Sequence, residues 1–307
     1  MRKSTFGKTG YPVSCLGFGG APIGLLKTDR DRVGEILRTL LDAGVNLIDT
    51  AAGYAGSEEL IAAAVGHRRG EFVIVSKCGG LVPGVTGADW SAGLIAQTVD
   101  RSLANLKTDH LDVMLLHSCD LQTLKTGEAL GALVRARDAG KIRFAGYSGD
   151  NEAAAYAAAL PDIAVLETSI SIADQVNIDN ALPVARKHNV GVLAKRPIAN
   201  AAWKPKSAQP GFYGDYAQPY HDRLAKMNLD PAALGIAGNP DEAWPQLALR
   251  FTLSMPGVHT AIIGTTNPDN ARANIDAANK GPLPEAAVGK IRAAFHSHNP
   301  GNWNALG

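Results

Sequence analysis

The stretch VNLIDTAAGYAGSEELIAAAV, residues 45–65, is one complete strand–turn–helix unit. Residues 45–49 are mostly apolar, as expected of a strand buried on both faces. From Ser57 the apolar residues recur at helical spacing, and Ser57 is of a type that caps helices. Asp49 and Tyr54 place an acid and a phenol on the turn between strand and helix. The unit repeats outward in both directions. Upstream, CLGFGG reads as a strand and RDRVGEILRTLLDAG as a helix closed by Gly44. Before them, STFGKTGYPVS reads as an N-terminal β-hairpin with a Lys-Thr-Gly turn. Downstream, the strands are FVIVSK, LDVMLLH, IRFAGYS, IAVLETS, VGVLAKR and VHTAIIG. The helices between and after them are SAGLIAQTVDRSLANL, LQTLKTGEALGALVRARDAG, NEAAAYAAAL, NALPVARKH, EAWPQLALRFTLSM and NPDNARANIDAAN.

Eight such units in about 290 residues predict an α/β fold of the (β/α)8 or TIM-barrel type, with residues 1–307 as a single domain. The competing arrangement is a doubly wound sheet. It would need a GxGxxG turn after the first strand and an acid further on for a ribose; GFGG has the wrong spacing and no such acid follows. Residues 198–238 read as a long irregular loop after strand seven, rich in aromatics (Trp203, Phe212, Tyr213, Tyr216 and Tyr220), and so as a lid or pocket wall.

Composition narrows the function classes. The formal net charge of +1 offers no basic excess for nucleic acid or an anionic membrane. No apolar run of about 18 residues marks a membrane helix. The opening MRKSTFGKTGYPVS has basic residues but no apolar core of a signal peptide, so the expectation is a cytoplasmic protein. Cys15, Cys78 and Cys119 are odd in number and contain no CxxC pair, which speaks against a disulfide framework or structural zinc. No zinc-like ligand set appears, and no metal is expected. The surface helices show no apolar seam, so a monomer is expected.

Barrel geometry brings the C-terminal ends of the strands to one mouth, where barrel enzymes do their chemistry. Asp49 ends strand two, Tyr54 follows it, Lys77 ends strand three and His117 ends strand four. Each alone has an ordinary explanation: a turn cap, a loop aromatic, a paired lysine, a core histidine. Together, at the same end of consecutive strands, they form a constellation. Asp49 can hold Lys77 charged, and an ammonium beside a phenol favours phenolate and lowers its pKa from about 10. His117 can hydrogen-bond a carbonyl oxygen. A phenol so tuned is a suitable proton donor to a forming alkoxide. With no obvious nucleophile at hand, the site suits proton transfer coupled to hydride delivery from a cofactor.

With these residues in place, the chain resembles the aldo-keto reductase family over essentially its whole length. The resemblance is carried by FGKTGYPVS, NLIDTAAGYAGSEELIAAAV, VIVSKCG, LDVMLLH, IRFAGYSG and IIGTTNPDNARANIDA. It implies a catalytic tetrad of Asp49, Tyr54, Lys77 and His117, with Tyr54 as acid/base. It implies NADP(H), or less often NAD(H), bound without a Rossmann fold. Ser148, Glu167, Lys195, Arg196 and Pro197 would lie near the nicotinamide and pyrophosphate. Gly264, Thr265, Thr266, Asn267, Asn270 and Asn274 would lie near the adenosine end, where a helix N-terminus suits a phosphate.

The sequence departs from the family pattern at four points. Gly149 stands where an asparagine usually follows the serine, with Asp150 next. Glu167 replaces a glutamine expected to contact the carboxamide; an ionised glutamate accepts hydrogen bonds but donates none. Lys195 replaces an aromatic that would stack on the nicotinamide, so either Lys195 points at the phosphates or an aromatic such as Trp203 does the stacking. A basic residue near Asn267 is missing, with Arg272 one turn on as its substitute. Trp90, Trp203, Tyr213 and Trp303 are candidates for the substrate-pocket wall.

The leading expectation is therefore an oxidoreductase moving a hydride between NADP(H) and a small aldehyde or ketone, or an alcohol or sugar hemiacetal in reverse. The alternatives are a cofactor-binding regulatory or sensor protein on the same barrel, and a lyase or isomerase using Lys77 as a Schiff base.

Overall fold

The computed structural model describes residues 1–209 and 213–306, Tyr213 by its backbone alone. Two short strands, β1 (Lys3–Thr5) and β2 (Pro12–Ser14), pair antiparallel as the predicted hairpin. Its turn plugs the lower end of the barrel: Phe6 is fully buried, and the Lys8 amide donates to the Asn189 carbonyl at 2.7 Å. Gly7 makes this approach possible. It has φ +50°, and a Cβ there would lie 2.3 Å from the Gly191 nitrogen.

Eight parallel strands then close the barrel: β3 (Leu16–Gly19), β4 (Leu47–Asp49), β5 (Val73–Cys78), β6 (Leu111–His117), β7 (Ile142–Ser148), β8 (Ile163–Ser169), β9 (Gly191–Lys195) and β10 (Thr260–Ile263). Each pairs with the next, and β10 returns to β3 through Ala261–Leu16, Ile262–Gly17 and Ile263–Phe18. The strands read as apolar runs because both faces are covered. Leu47, Val75, Val113, Leu115, Val165, Leu193 and Ile262 fill the interior, while Ile48, Ile74, Met114, Leu116 and Leu166 pack outward among the helices. Each such side chain contributes about 1.5–3 kcal/mol by burial. The interior is thus a plug of packed hydrocarbon, and the polar chemistry is left to the rim.

Four local readings change. Gly56, not Ser57, caps the helix Ser57–Val65. The Ser57 hydroxyl turns inward instead, donating to the Gly20 carbonyl at 3.0 Å and meeting Thr50 Oγ1 at 2.8 Å. The segment after β6 is two helices, Leu121–Thr126 and Glu128–Asp138, broken at Gly127 with φ +75°. A helix Glu285–His298, which the periodicity reading did not reach, packs Ile291 and Phe295 into the core. The 198–238 excursion is not irregular throughout, for it contains the helix Tyr213–Met227. That helix buries Ala217, Tyr220, Leu224 and Met227, three or four residues apart, as one face of a helix requires. Pro219 lies inside it and conceals the pattern, because a proline ordinarily ends a periodic run.

Cys15, Cys78 and Cys119 are buried free thiols. Among the described residues, no helix is long and apolar enough to cross a membrane, and no group of three acidic, histidine or cysteine side chains could hold a metal ion.

Candidate active site

The C-terminal ends of β4, β5, β6 and β8 converge on one buried ammonium. Lys77 is 1% exposed. Its Nζ donates to both carboxylate oxygens of Asp49, at 2.6 and 2.7 Å, and to the Thr50 carbonyl at 3.1 Å. Those contacts use its three N–H bonds. A second carboxylate, Glu167 on β8, nevertheless stands 3.1 Å away through Oε2. That contact lies outside hydrogen-bonding angles, so Glu167 Oε2 is a buried oxygen attracted by charge but given no proton. Burial alone would lower the lysine's pKa; the charges of Asp49, Glu167 and Tyr54 outweigh it and hold the ammonium protonated. The two carboxylates share one cation unequally. Burial and the neighbouring Glu167 push Asp49 well up. Burial opposes ionisation of Glu167 too, but Lys77, Lys195 and His117 together pull it below the usual range.

Tyr54 and His117 stand above this cluster. The Tyr54 ring centroid is 5.3 Å from Lys77 Nζ, and the ring meets His117 edge to face at 5.7 Å. Burial, then the positive charges of Lys77 and Lys195, lower the His117 pKa to about 3, so the imidazole is neutral at ordinary pH. A neutral imidazole can donate one hydrogen bond to an oxygen without carrying charge into the site.

The departures from the family pattern are paired with one another. Lys195, at the end of β9, reaches Asp150 at 3.0 Å. Asp150 also accepts from the Ser169 amide at 2.7 Å, Ser169 Oγ at 3.1 Å, Thr168 Oγ1 at 3.0 Å and Asn177 Nδ2 at 2.9 Å. Burial would raise the Asp150 carboxyl, but Lys195 and these donors hold it low. Gly149 has its own local reason: a Cβ there would lie 2.3 Å from the Tyr147 hydroxyl. Arg196, at φ +57°, turns to Ser169 Oγ (3.3 Å) and the Tyr220 hydroxyl (3.4 Å) and lies 4.6 Å from the Tyr216 ring centroid.

A cavity of about 600 Å³ opens over these groups. Asp49, Tyr54, His117, Ser148, Glu167, Lys195, Arg196 and Pro197 line one part of it, and Gly264, Thr265, Thr266 and Asn270 the other. Lys77 lies beneath the wall rather than in it. Asn267 is set back as the N-cap of the helix Pro268–Asn279, accepting from the Asp269 amide at 2.9 Å. Asn274 is buried in a separate crevice behind β3. Arg272 is held by Asp269 and Glu35, both at 2.8 Å.

The tryptophans stand elsewhere. Trp203 stacks on Trp244 at 5.8 Å. Trp303, 7% exposed, packs against Phe295 at 5.2 Å and under Arg223 at 5.5 Å. Trp90 covers Gly79, whose missing Cβ would fall 1.8 Å from its ring. None of the three lines the cavity. The Tyr213 side chain lies outside the described residues. Among the described residues, Tyr216 is the aromatic that the excursion supplies to the cavity, with Ile198, Asn200 and Gln209 beside it. Only the helical period through 213–227, which sets Tyr216 beside Tyr220 on neighbouring positions of one helix, could have singled it out.

Residues 15–295 match the model of the aldo/keto reductase family, and the chain belongs to that family. It is similar to an aldo-keto reductase of Bacillus halodurans solved in its holo form, at 25% identity and a TM-score of 0.80 over 96% of each chain. It is also similar to the uncharacterized oxidoreductase YqkF of Bacillus subtilis, at 26% identity over 95% of this chain and 96% of that one. The L-galactose dehydrogenase of Arabidopsis thaliana is 24% identical over 88% of this chain and 86% of its own. The chain is accordingly an oxidoreductase of the NAD(P)H-dependent class.

Proposed function

We propose that this oxidoreductase interconverts a small carbonyl compound and its alcohol, with Tyr54 exchanging the proton. One observation carries the reading: a fully buried ammonium, clamped by Asp49, lies 5.3 Å from the Tyr54 ring at the mouth that His117 also faces. The Lys77 charge stabilises the phenolate left when Tyr54 gives up its proton. Neutral His117 orients the substrate oxygen toward that phenol by a hydrogen bond. When bound, a nicotinamide supplies or accepts the hydride. Borohydride-trappable Schiff-base chemistry at Lys77 is disfavoured, because its charge is fixed by two carboxylates.

The residues present fit a nicotinamide dinucleotide. Glu167 brings a carboxylate to the cavity wall, and a carboxylate can accept from a carboxamide NH2. Ser148, Lys195, Arg196 and Pro197 would hold the adjoining part, and Gly264, Thr265, Thr266 and Asn270 the far part, flanked by Asn267 and Asn274. The family pattern favours NADP(H). A second reading, NAD(H), is favoured by Arg272, whose two carboxylate partners already occupy it and would repel a 2′-phosphate. The sugar in the name of the Arabidopsis relative supports a polyhydroxylated substrate oxidised at a hemiacetal carbon.

The test is nucleotide titration and turnover with wild type and Tyr54→Phe. Binding should survive in the variant, while turnover falls by about 10²–10⁴-fold. A variant that turns over like wild type would end the assignment of Tyr54.

A further inference from the structure

We propose that Tyr220 is a positioning residue for Arg196, turning its guanidinium so that the free edge can grip the diphosphate of the bound nucleotide. The inference rests on the cofactor reading above and deepens it. Arg196 follows β9 in the cavity wall. Its Nη1 donates to two hydroxyls, Ser169 Oγ at 3.3 Å and Tyr220 at 3.4 Å, and its Cζ lies over the Tyr216 ring at 4.6 Å. These partners hold one corner and one face of the planar group. Among the described residues, no hydrogen bond takes Nε or Nη2, which together form the other edge. That edge offers two parallel N–H bonds, a match for two oxygens of a phosphate. Its charge is available as well. Lys77 and Lys195 stand against carboxylates, whereas Arg196 is held by hydroxyls and a ring. The diphosphate is the anion that NAD(H) and NADP(H) share.

Tyr220 is fully buried, so it can act on a ligand only through a neighbour. A phenol has one proton to give. Tyr220 gives it to Asp174 Oδ2 at 2.9 Å, which leaves the hydroxyl oxygen to accept from Arg196. Asp174 is fixed in turn: the Leu306 amide donates to the same oxygen at 3.2 Å, and Arg223 Nη1 stands 4.0 Å from Oδ1. The order Asp174, Tyr220, Arg196 therefore has a direction. Ser169 repeats it, for its hydroxyl donates to Asp150 Oδ2 at 3.1 Å and accepts from Arg196. Two buried acids thus turn two hydroxyls into acceptors, and the hydroxyls stand between the acids and the guanidinium. A carboxylate in direct contact would orient Arg196 too, but a phosphate would then have to displace it or be repelled by it. Orientation through hydroxyls leaves the cation ready for an anion from the cavity.

The experiment is fluorescence titration of NADH and NADPH into wild type, Tyr220→Phe, Arg196→Met and the double variant, with urea unfolding to show that each is folded. Arg196→Met should weaken both nucleotides by about tenfold to a hundredfold. Tyr220→Phe should weaken both by one common factor of about threefold to tenfold, the smaller effect of a single long hydrogen bond. In the Arg196→Met background, Tyr220→Phe should add nothing further, because the group it orients is gone. A merely structural role would give the same loss in both backgrounds, which overturns the proposal. So does unchanged affinity in Tyr220→Phe, and so does a loss confined to NADPH, which would put the guanidinium on the 2′-phosphate. Should Tyr220→Phe not fold, Arg196→Met leaves the Tyr220–Asp174 bond in place and carries the test: affinity equal to wild type for both nucleotides overturns the proposal. If wild type binds neither nucleotide, the cofactor reading itself fails and takes this inference with it; unchanged affinities with binding intact defeat the inference alone.

Discussion

Two charged clusters, one beneath the cavity and one outside its wall, are built in opposite styles. At the β4–β5–β8 end, Lys77, Asp49 and Glu167 are all at least 97% buried, and water cannot screen their interaction. At the β10 end, Arg272, Glu35 and Asp269 form pairs of similar length on an open surface. Equal distances do not mean equal consequences. A buried pair holds a geometry and a protonation state that nothing else can supply, and breaking it strands an ion. An exposed pair is in exchange with water and salt, and its loss is nearly neutral for the fold. On the proposed function, the buried cluster serves the chemistry and the exposed one bears on the choice of nucleotide.

Lys77→Met breaks the contrast most severely, since it leaves Asp49 and Glu167 facing each other without a cation. The expected loss is about 3–5 kcal/mol of stability at pH 8, read by urea unfolding. The loss should shrink toward pH 5, where the stranded carboxyls can take up protons. An equal loss at both pH values would mean that packing, not charge, is what Lys77 supplies.

Asp150→Asn comes next. It removes the partner of Lys195 and the acceptor shared by Ser169, Thr168 and Asn177. One oxygen can still serve some of those donors, so about 1–3 kcal/mol should be lost. The double variant Asp150→Asn, Lys195→Met should recover part of it, because the unpaired ammonium is removed as well. No recovery in a double-mutant cycle would show that the two positions act independently.

These pairings also mark how far the sequence could be read. The barrel was legible because a parallel sheet covered on both faces needs unbroken apolar strands, and eight of them alternate with amphipathic helices. The four mouth residues were legible as a group, because each alone has an ordinary explanation but three end consecutive strands and the fourth follows one of them. Glu167, Lys195 and Asp150 stood out as departures, but not as partners. Lys77 is ninety residues from Glu167, and Lys195 forty-five from Asp150, and only the closed barrel brings them together. The tryptophans misled for a related reason. A large aromatic in a loop suits a pocket wall and a hydrophobic contact equally, and the choice depends on what lies opposite: Trp244 for Trp203, and Phe295 for Trp303.

His117 offers a smaller effect with a definite sign. Its pKa is lowered from 6.5 to about 3 in the folded protein, with burial the chief cause. Between those values the unfolded chain binds the proton and the folded one does not. The group's contribution is therefore complete above pH 6.5 and is lost as pH falls toward 3. By pH 5 that amounts to about 1–2 kcal/mol, given that the imidazole keeps some contact with the open cavity. His117→Gln should make the acid side of the stability–pH curve shallower by that amount. An identical slope in wild type and variant would show that the imidazole protonates freely where it stands.

The least disruptive change bears on the exposed end and on cofactor choice. Glu35→Gln with Asp269→Asn frees Arg272 from both carboxylates without touching the cavity wall. Stability should stay within experimental error, because surface pairs of this kind are worth little. The affinity for NADP(H) relative to NAD(H) should nonetheless rise by about threefold to fivefold at low salt, since a 2′-phosphate would meet an uncommitted guanidinium in place of two carboxylates. The gain should fade at high ionic strength, as an exposed interaction must. If the gain persists at high salt, Arg272 is less exposed in the loaded protein than it is here. The helix Pro268–Asn279 would then close on the nucleotide and shield this pairing from salt.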